Sequence, residues 1–400
     1  MKHLRIFNSM EEFESTKHSI DTPFVVLEKG TPKVIYSNIK EITEPEIPNY
    51  LCFEAIESST LSFNAYGNMS HCKLEYAVGT GDFSTYTIGT EIQLNSGDKV
   101  YFRGDNSTIS TGEKKYGHFS GTGKINISGN ILSLLSKDLS PVDTLPNYCF
   151  YRLFSVCGAF VSAEKLILPF SKVGQYSCKN MFYNCGSLTT APELLPAETL
   201  AIDCYWGMFA DCKSLTKAPA LPATTLAGSC YYYMFNNCRN LTTAPELPAK
   251  TLAYGCYSYM FAGCTSLTTA PVLHATTLAS RCYYYMFDGC TSLTTVPELP
   301  ATTLADMCYY FMFNNCRNLT TVPLLPAKTL AEKCYYYMFY GCSKLSTIKC
   351  LAEDISATYC TSNWVNGVAS SGTFIKSANA TNWETGAHGI PSGWTVIDEP

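Results

Sequence analysis

Cysteine is the residue type in this sequence with the clearest capacity for chemistry. The chain of 400 residues has 20 cysteines. Segments such as 282–290, CYYYMFDGC, place two of them at the ends of a C-x7-C spacing. Zinc sites use tighter pairs, typically two to four residues between the ligands. The spacing therefore argues against a metal site, and we expect no metal.

The oxidation state of the cysteines has two interpretations. An even number of cysteines in a short secreted chain indicates a disulfide framework. This chain is long, and its first 16 residues, MKHLRIFNSMEEFEST, have no apolar core typical of a secretion signal. Unpaired cysteine also packs well as a small buried hydrophobe. We favour buried, reduced thiols and leave disulfides within or between units open for an oxidising compartment.

Other residues offer little support for catalysis or a cofactor. The six histidines are scattered, and Glu193, Glu246 and Glu298 recur at corresponding repeat positions, as expected of a solvated face. The sequence has no G-x-x-x-x-G-K-[ST] loop and no G-x-G-x-x-G motif after a predicted strand, the two glycine-rich patterns that bind nucleotide phosphates. The tripeptide Arg103-Gly104-Asp105 is weak evidence for integrin binding, because a strand end followed by a turn also explains it. We predict a non-enzymatic protein without a cofactor.

A 26-residue repeat positions the cysteines. Seven cysteines from Cys204 to Cys360 follow one another at this interval, and six from Cys212 to Cys342 keep the same step. A copy with one extra leucine precedes them, and a degenerate copy, CFYRLFSVC, starts at Cys149. The pattern indicates about eight units, none of which could bury its apolar face alone.

The sequence pattern of each unit predicts a short helix followed by a short strand. Leu226, Cys230, Met234 and Cys238 are spaced by four, as on one face of a helix, and Thr225 suits its N-cap. The following LTTAPELP reads as a strand that its proline keeps short. Strands stack at about 4.8 Å and helices at roughly 8–10 Å. Stacked units would therefore curve, with the strands on the concave side.

The predicted helix divides its residues between an inner and an outer face. Cys230 and Met234 should point into the stack, Tyr231 and Tyr233 should flank this face, and Tyr232 should point outward. The inner set comprises Cys204, Cys230, Cys256, Cys282, Cys308, Cys334, Met208, Met234, Met260, Met286, Met312 and Met338. The outer set is an aromatic stripe of Trp206, Tyr232, Tyr284, Tyr310 and Tyr336, interrupted by Ser258. Either the stripe binds a ligand, or its tyrosines only cover neighbouring units.

The motifs MFNNCRNL, MFAGCTSL, MFDGCTSL and MFYGCSKL resemble BspA-like leucine-rich repeats. The resemblance covers about residues 145–360, and the LPATTLA and CYYYMF segments are similar to repeats in proteins of gut Bacteroidales and their phages. It implies an adhesin on a bacterial surface or a structural protein of a phage. Because no secretion signal is expected, we favour the virion. The resemblance provides no catalytic residues.

The predicted fold class is α+β. Residues 1–45 form an N-terminal element and linker, 46–140 an antiparallel β-sandwich-like domain, 141–360 a curved leucine-rich-repeat-type α/β solenoid, and 361–400 a C-terminal cap containing Trp364, Trp383 and Trp394. The formal net charge of −5 argues against nucleic acid as a partner. No apolar run of 18 residues is present, so we expect no membrane insertion.

The predicted function is attachment or assembly. We expect a fibre or decoration protein of a phage virion, with other virion proteins and a host-surface glycan or protein as partners. The alternative is a bacterial surface adhesin, and a glycan-active enzyme is disfavoured because no carboxylate pair stands out. A homo-oligomer, for example a trimer, would be typical of a fibre, although no heptad repeat supports it.

Overall fold

A computed structural model describes residues 49–399 and three strands before them. The chain divides into a first unit, 1–49, and a second unit, 50–400. In the first unit β1 (Arg5–Phe7) pairs in parallel with β2 (Phe24–Glu28), which pairs antiparallel with β3 (Thr31–Ile35). His3, His18 and most of the predicted N-terminal element and linker, 1–45, lie outside the described residues.

Two sheets form the start of the second unit. Their strands are β4 (Leu51–Ala55), β5 (Ser59–Tyr66), β6 (Leu74–Val78), β7 (Ser84–Tyr86), β8 (Ile92–Leu94), β9 (Lys99–Arg103), β10 (Tyr116–Thr122), β11 (Ile125–Asn130) and β13 (Phe160–Ile167). A short 3-10 helix, Ile131–Leu134, follows β11, and β12 (Thr144–Leu145) pairs separately with β14 (Lys172–Val173). One sheet has the order β10-β5-β8 and the other β13-β11-β4-β9-β6-β7.

Phenylalanine rings join the two sheets. Phe119 of β10 lies with its ring centroid 4.6 Å from Phe53 of β4 and 5.0 Å from Phe102 of β9. All three residues are buried. Among the strands of the predicted domain 46–140 every pairing is antiparallel, as the sequence predicted. The strand β13, which belongs to the predicted solenoid, adds to this sheet by running parallel to β11. This parallel strand follows the run of turns of the first repeat unit, which starts at Cys149, and so joins that unit to the sheet.

The predicted helices were wrong. The described residues contain no α-helix, and the segment that the sequence assigned to one is a run of turns. Ser229, Tyr233 and Asn237 have φ of 53°, 57° and 57°. A right-handed helix has no room for a left-handed residue at every fourth position. The same three positions have positive φ in the other complete coils.

Hydrogen bonds alternate along each run of turns. The amide of Tyr232 donates to the Ser229 carbonyl within its own coil at 3.2 Å. The amide of Tyr231 instead donates to the Cys256 carbonyl of the next coil at 3.1 Å. Every second amide therefore closes a turn and the amides between them hold neighbouring coils together. This pairing satisfies the buried backbone without a helix.

Side chains follow a repeat of four along the turns. Cys230 and Tyr231 are buried, the next two tyrosines are half-buried, and Met234 and Phe235 are buried again. In a helix each residue rotates the side-chain direction by about 100°, so a side chain four residues later points about 40° away from the first. In the run of turns the side-chain direction repeats at every fourth residue, so two adjacent residues face inward in every four. The spacing of four fitted both structures, which explains the incorrect prediction.

Short parallel contacts connect the coils on their other sides. Thr243 forms a parallel bridge with Thr269, and Thr199 forms one with Thr225. Thr225, predicted as a helix N-cap, is therefore part of a β-contact. At the C-terminal end the contacts lengthen into a parallel sheet of β15 (Thr347–Cys350), β16 (Thr373–Ser377) and β17 (Thr395–Glu399). The protein is thus a β-rich repeat protein.

Candidate binding surface

Two outward-facing positions in each run of turns create two parallel columns of side chains. Column one contains Trp206, Tyr232, Ser258, Tyr284, Tyr310 and Tyr336. Column two contains Tyr233, Tyr259, Tyr285, Phe311 and Tyr337. All of these residues are half-buried except Ser258, which is buried. We call the two columns together the aromatic surface.

Rings within each column stack on one another. In column two, the centroid of Tyr285 lies 4.7 Å from Tyr259 and 4.5 Å from Phe311, with nearly parallel planes. In column one, the centroid of Tyr310 lies 4.7 Å from both Tyr284 and Tyr336. These separations match favourable offset stacking. They follow from the hydrogen bonds between coils, which place equivalent residues one strand spacing apart.

The two columns also contact each other. Tyr284 and Tyr285 have centroids 4.7 Å apart, and Tyr310 and Phe311 have centroids 4.9 Å apart. Burial raises the pKa of Tyr310 to about 12. Its hydroxyl therefore remains protonated at neutral pH and can donate a hydrogen bond. Each tyrosine presents part of an apolar ring together with a neutral polar tip.

Ser258 interrupts column one, as the sequence showed, but not the aromatic surface. Tyr259 of column two lies 5.6 Å from the Tyr232 centroid and 5.5 Å from the Tyr284 centroid. Its ring therefore connects the two sides of the break. Ser258 itself donates its hydroxyl to the Arg281 carbonyl at 2.7 Å.

Sequence reasoning missed column two and misplaced the first tyrosine of each CYYYMF segment. Tyr231, expected to flank the inner face, is 1% exposed, and its ring centroid lies 5.9 Å from that of Tyr257. Tyr233, assigned the same flanking place, lies on the outer surface. The recurrence of an aromatic residue at the fourth position of the segment, directly before the methionine, was the available signal. It could be used only once the turn structure was known.

Column two holds aromatic residues in an unfavourable backbone conformation. Tyr259, Tyr285 and Phe311 have φ of 55°, 54° and 52°. Gly207 and Asn180 occupy the equivalent place in earlier coils and suit this conformation better. We infer that the side chains of these repeated aromatic residues offset the cost of the backbone conformation, either by stacking or by binding a ligand. Such strain persists where packing determines it and is frequent at binding sites.

The predicted inner cysteines and methionines are all buried. Two further inner columns lie beside them. One contains stacked phenylalanines from Phe182 to Phe339, and the other contains stacked tyrosines from Tyr205 to Tyr335, followed by Trp364. Each of these columns supplies one ring per coil to the core.

Cysteine thiols also bond between coils. The Cys238 thiol donates to the Phe209 carbonyl of the preceding coil at 3.1 Å, and Cys264 donates to Phe235 at the same distance. All 20 cysteines are buried free thiols. Burial raises the pKa of the Cys264 thiol well above its usual value, which keeps it in the protonated state that can donate.

Basic residues adjoin the aromatic surface. The Lys179 ammonium lies 3.6 Å from the Trp206 ring centroid and 2.9 Å from a carboxylate oxygen of Glu113. Near the middle of the surface, the Arg281 guanidinium lies 5.8 Å from the centroid of Tyr284. Positive charge over a ring face is favourable because the face is electron-rich.

The other residues considered for chemistry do not form a site in the described part of the chain. The side chain of Arg103, in the Arg-Gly-Asp tripeptide, donates to Glu75 at 2.9 Å and lies 3.9 Å from the Phe83 ring centroid. Glu193, Glu246 and Glu298 are exposed. In the part of the chain that the structure describes, no three His, Cys, Asp or Glu side chains cluster as metal ligands would. The same residues contain no helix that is long and apolar enough to cross a membrane.

The repeat coils match a known family. The family described as "BspA type Leucine rich repeat region" matches residues 175–296 and 281–359, in six copies. Residues 175–359 of the chain are BspA-type leucine-rich repeats. Leucine-rich-repeat families are generally binding or structural proteins rather than enzymes. A BspA-like repeat array with an ordered outer surface is therefore consistent with binding.

The crystal structure of a leucine-rich repeat protein from Bacteroides ovatus ATCC 8483 is similar over 64% of this chain and 78% of that chain, at 16% sequence identity and a TM-score of 0.25. None of the curated proteins matches this BspA-like chain.

Proposed function

We propose that this BspA-like protein is a non-enzymatic binding protein whose aromatic surface attaches to a glycan on a host cell. The observation that carries the proposal is the unbroken contact between rings from Trp206 to Tyr337. Each ring offers an apolar face, and each tyrosine adds a hydroxyl. Sugars present the complementary combination of C–H faces and hydroxyl edges.

The stacked coils would multiply weak contacts. A single ring on a sugar contributes little, but a polymer that contacts several rings binds with a higher effective concentration at each successive site. The stacked coils present such a row along one side. Column two favours this function over simple covering of the core, because Tyr259 and Tyr285 keep aromatic rings where glycine or asparagine would suit the backbone better.

The proposed setting is a phage virion, as a fibre or decoration protein that contacts other virion proteins and the host surface, with a trimer as one possible assembly. Support comes from the resemblance of the 26-residue repeats to arrays in phage structural proteins. Mass spectrometry of purified virions and of host outer-membrane fractions tests this setting. Peptides at structural copy number in virions support it. Peptides in the host membrane and not in virions would instead support a bacterial adhesin.

Binding to host cells tests the role of the aromatic surface. Replacing both Tyr284 and Tyr310 by serine removes two stacked rings from its middle. Loss of two aromatic contacts of about 0.5–1.5 kcal/mol each predicts binding weaker by about fivefold to 150-fold. Tyr66, which is 55% exposed in β5, provides a matched tyrosine-to-serine control outside the coils. Equal binding by the double variant and the wild type would contradict the proposal.

A further inference from the structure

Arg281 places a positive charge beside the break in column one. Its guanidinium carbon lies 5.8 Å from the ring centroids of both Tyr254 and Tyr284. Its Nη1 donates to the Tyr254 hydroxyl at 2.9 Å. The Ser258 hydroxyl bonds to the Arg281 carbonyl at 2.7 Å. These contacts orient the guanidinium between two tyrosines, where a ligand crossing the break would meet it.

Unlike Lys179 and Lys333, two other cations beside rings of the coils, Arg281 has no acidic partner among residues 49–399. Lys179 pairs with Glu113 at 2.9 Å, and Lys333 pairs with Glu332 at 2.7 Å. Within residues 49–399, no carboxylate lies within ion-pair distance of Arg281. Four of its five N–H donors are thus available, in the planar arrangement that suits a carboxylate or sulfate.

Arg152 repeats this arrangement in the first coil. Its guanidinium carbon lies 5.9 Å from the ring centroid of Tyr116 and 5.8 Å from those of Tyr151 and Tyr183. Its Nε is buried and lacks a hydrogen-bond partner, and in the described part of the chain it forms no ion pair. A buried donor without a partner is costly, and a bound anion would supply the partner.

We propose that the glycan is acidic and that Arg281 and Arg152 each bind one of its carboxylate or sulfate groups. This inference depends on the proposed function, since the solvent-accessible tyrosines beside the arginines would hold the sugar rings, namely Tyr254 and Tyr284 at Arg281 and Tyr116 and Tyr183 at Arg152. It adds the substrate class, because neutral glycans would leave both guanidinium groups without a counter-charge. The two arginines lie at different coils of one array, so a polymer with repeated negative charges could engage both.

Paired polysaccharides test the charge requirement. The probes are polygalacturonate and its methyl ester, which differ in carboxylate charge, and dextran sulfate and dextran, which differ in sulfate charge. Each is measured against the full-length protein by biolayer interferometry. We expect the acidic member of at least one pair to bind about tenfold more tightly or better. The pair that shows the difference identifies the carboxylate or the sulfate as the recognised group.

Arginine variants locate the effect. Arg281→Gln, alone and with Arg152→Gln, should weaken acidic-glycan binding by about tenfold or more, while Arg281→Lys should retain part of it. Arg239→Gln and Arg317→Gln are controls, because these exposed arginines carry the same charge and neither lies over an aromatic ring of the described chain. An equal loss in the controls would indicate non-specific attraction and overturn the inference.

The outcomes separate this inference from the proposed function. Equal binding of charged and neutral probes, lost on replacing Tyr284 and Tyr310 by serine, would leave the aromatic surface as a glycan site and refute the role of the arginines. No binding to any probe or to host glycans would refute both.

Discussion

Replacing Tyr231 by phenylalanine should stabilise the folded protein. The side chain is 1% exposed, and its ring stacks 5.9 Å from Tyr205 and 5.9 Å from Tyr257. Its hydroxyl is buried without a hydrogen-bond partner. Burying an unpaired hydroxyl costs about 1–3 kcal/mol, whereas phenylalanine keeps the ring and its stacking. We expect the free energy of unfolding to rise by about 1–2 kcal/mol, after allowing for a small void.

Urea unfolding followed by far-UV circular dichroism under reducing conditions measures this effect. Tyr283→Phe is the matched control, because Tyr283 is 2% exposed in the same column and its hydroxyl is not isolated in this way. Tyr205 has the same unpaired hydroxyl. Tyr205→Phe should therefore also stabilise, although the two gains need not add for adjacent rings. A lower or unchanged urea midpoint for Tyr231→Phe would show that the hydroxyl has a partner and refute the reasoning.

Two further perturbations address the backbone and the thiols. Val156 has φ of 60° and is 58% exposed, so Val156→Gly should raise the thermal midpoint by relieving about 1 kcal/mol of strain, and a lower midpoint would contradict this. Burial raises the pKa of Cys204, Cys256 and Cys308 from 9.0 to about 12. Between about pH 9 and 12 the unfolded chain has lost these protons and the folded chain has not, so each thiol should lower the free energy of unfolding by up to about 1.4 kcal/mol per pH unit. Urea midpoints that stay constant from pH 8 to pH 10.5 would be incompatible with this linkage.

The structure agrees with the sequence where a prediction depended only on the repeat. Thirteen cysteine positions at one interval required equivalent residues to meet in successive coils, whatever the local conformation. The burial of Cys230 and Met234 and the outward position of Tyr232 follow from the apolar pattern in the same way. The BspA-like motifs, such as MFNNCRNL, were sufficient to indicate the family.

Conformation could not be read from that pattern. A spacing of four occurs both in a helix and in a run of turns, and the difference lies in the sign of φ at residues such as Tyr233. Tyrosine rarely adopts positive φ, so its residue type gave no indication of it. The turns form because every second amide bonds to the next coil, as Tyr231 does to Cys256. Such a bond exists only after the coils have stacked.

The sequence by itself determined that this protein is a repeat array, which family the array resembles, and which residues recur at equivalent positions. Tertiary structure decided that Tyr231 faces inward, that Tyr259 connects the aromatic surface across Ser258, and that Arg281 lies between two tyrosines with no carboxylate partner among residues 49–399. The physical reason is that periodicity follows from the order of residues along the chain. Whether a side chain points into the core or to the outer surface depends on hydrogen bonds between residues about one coil apart.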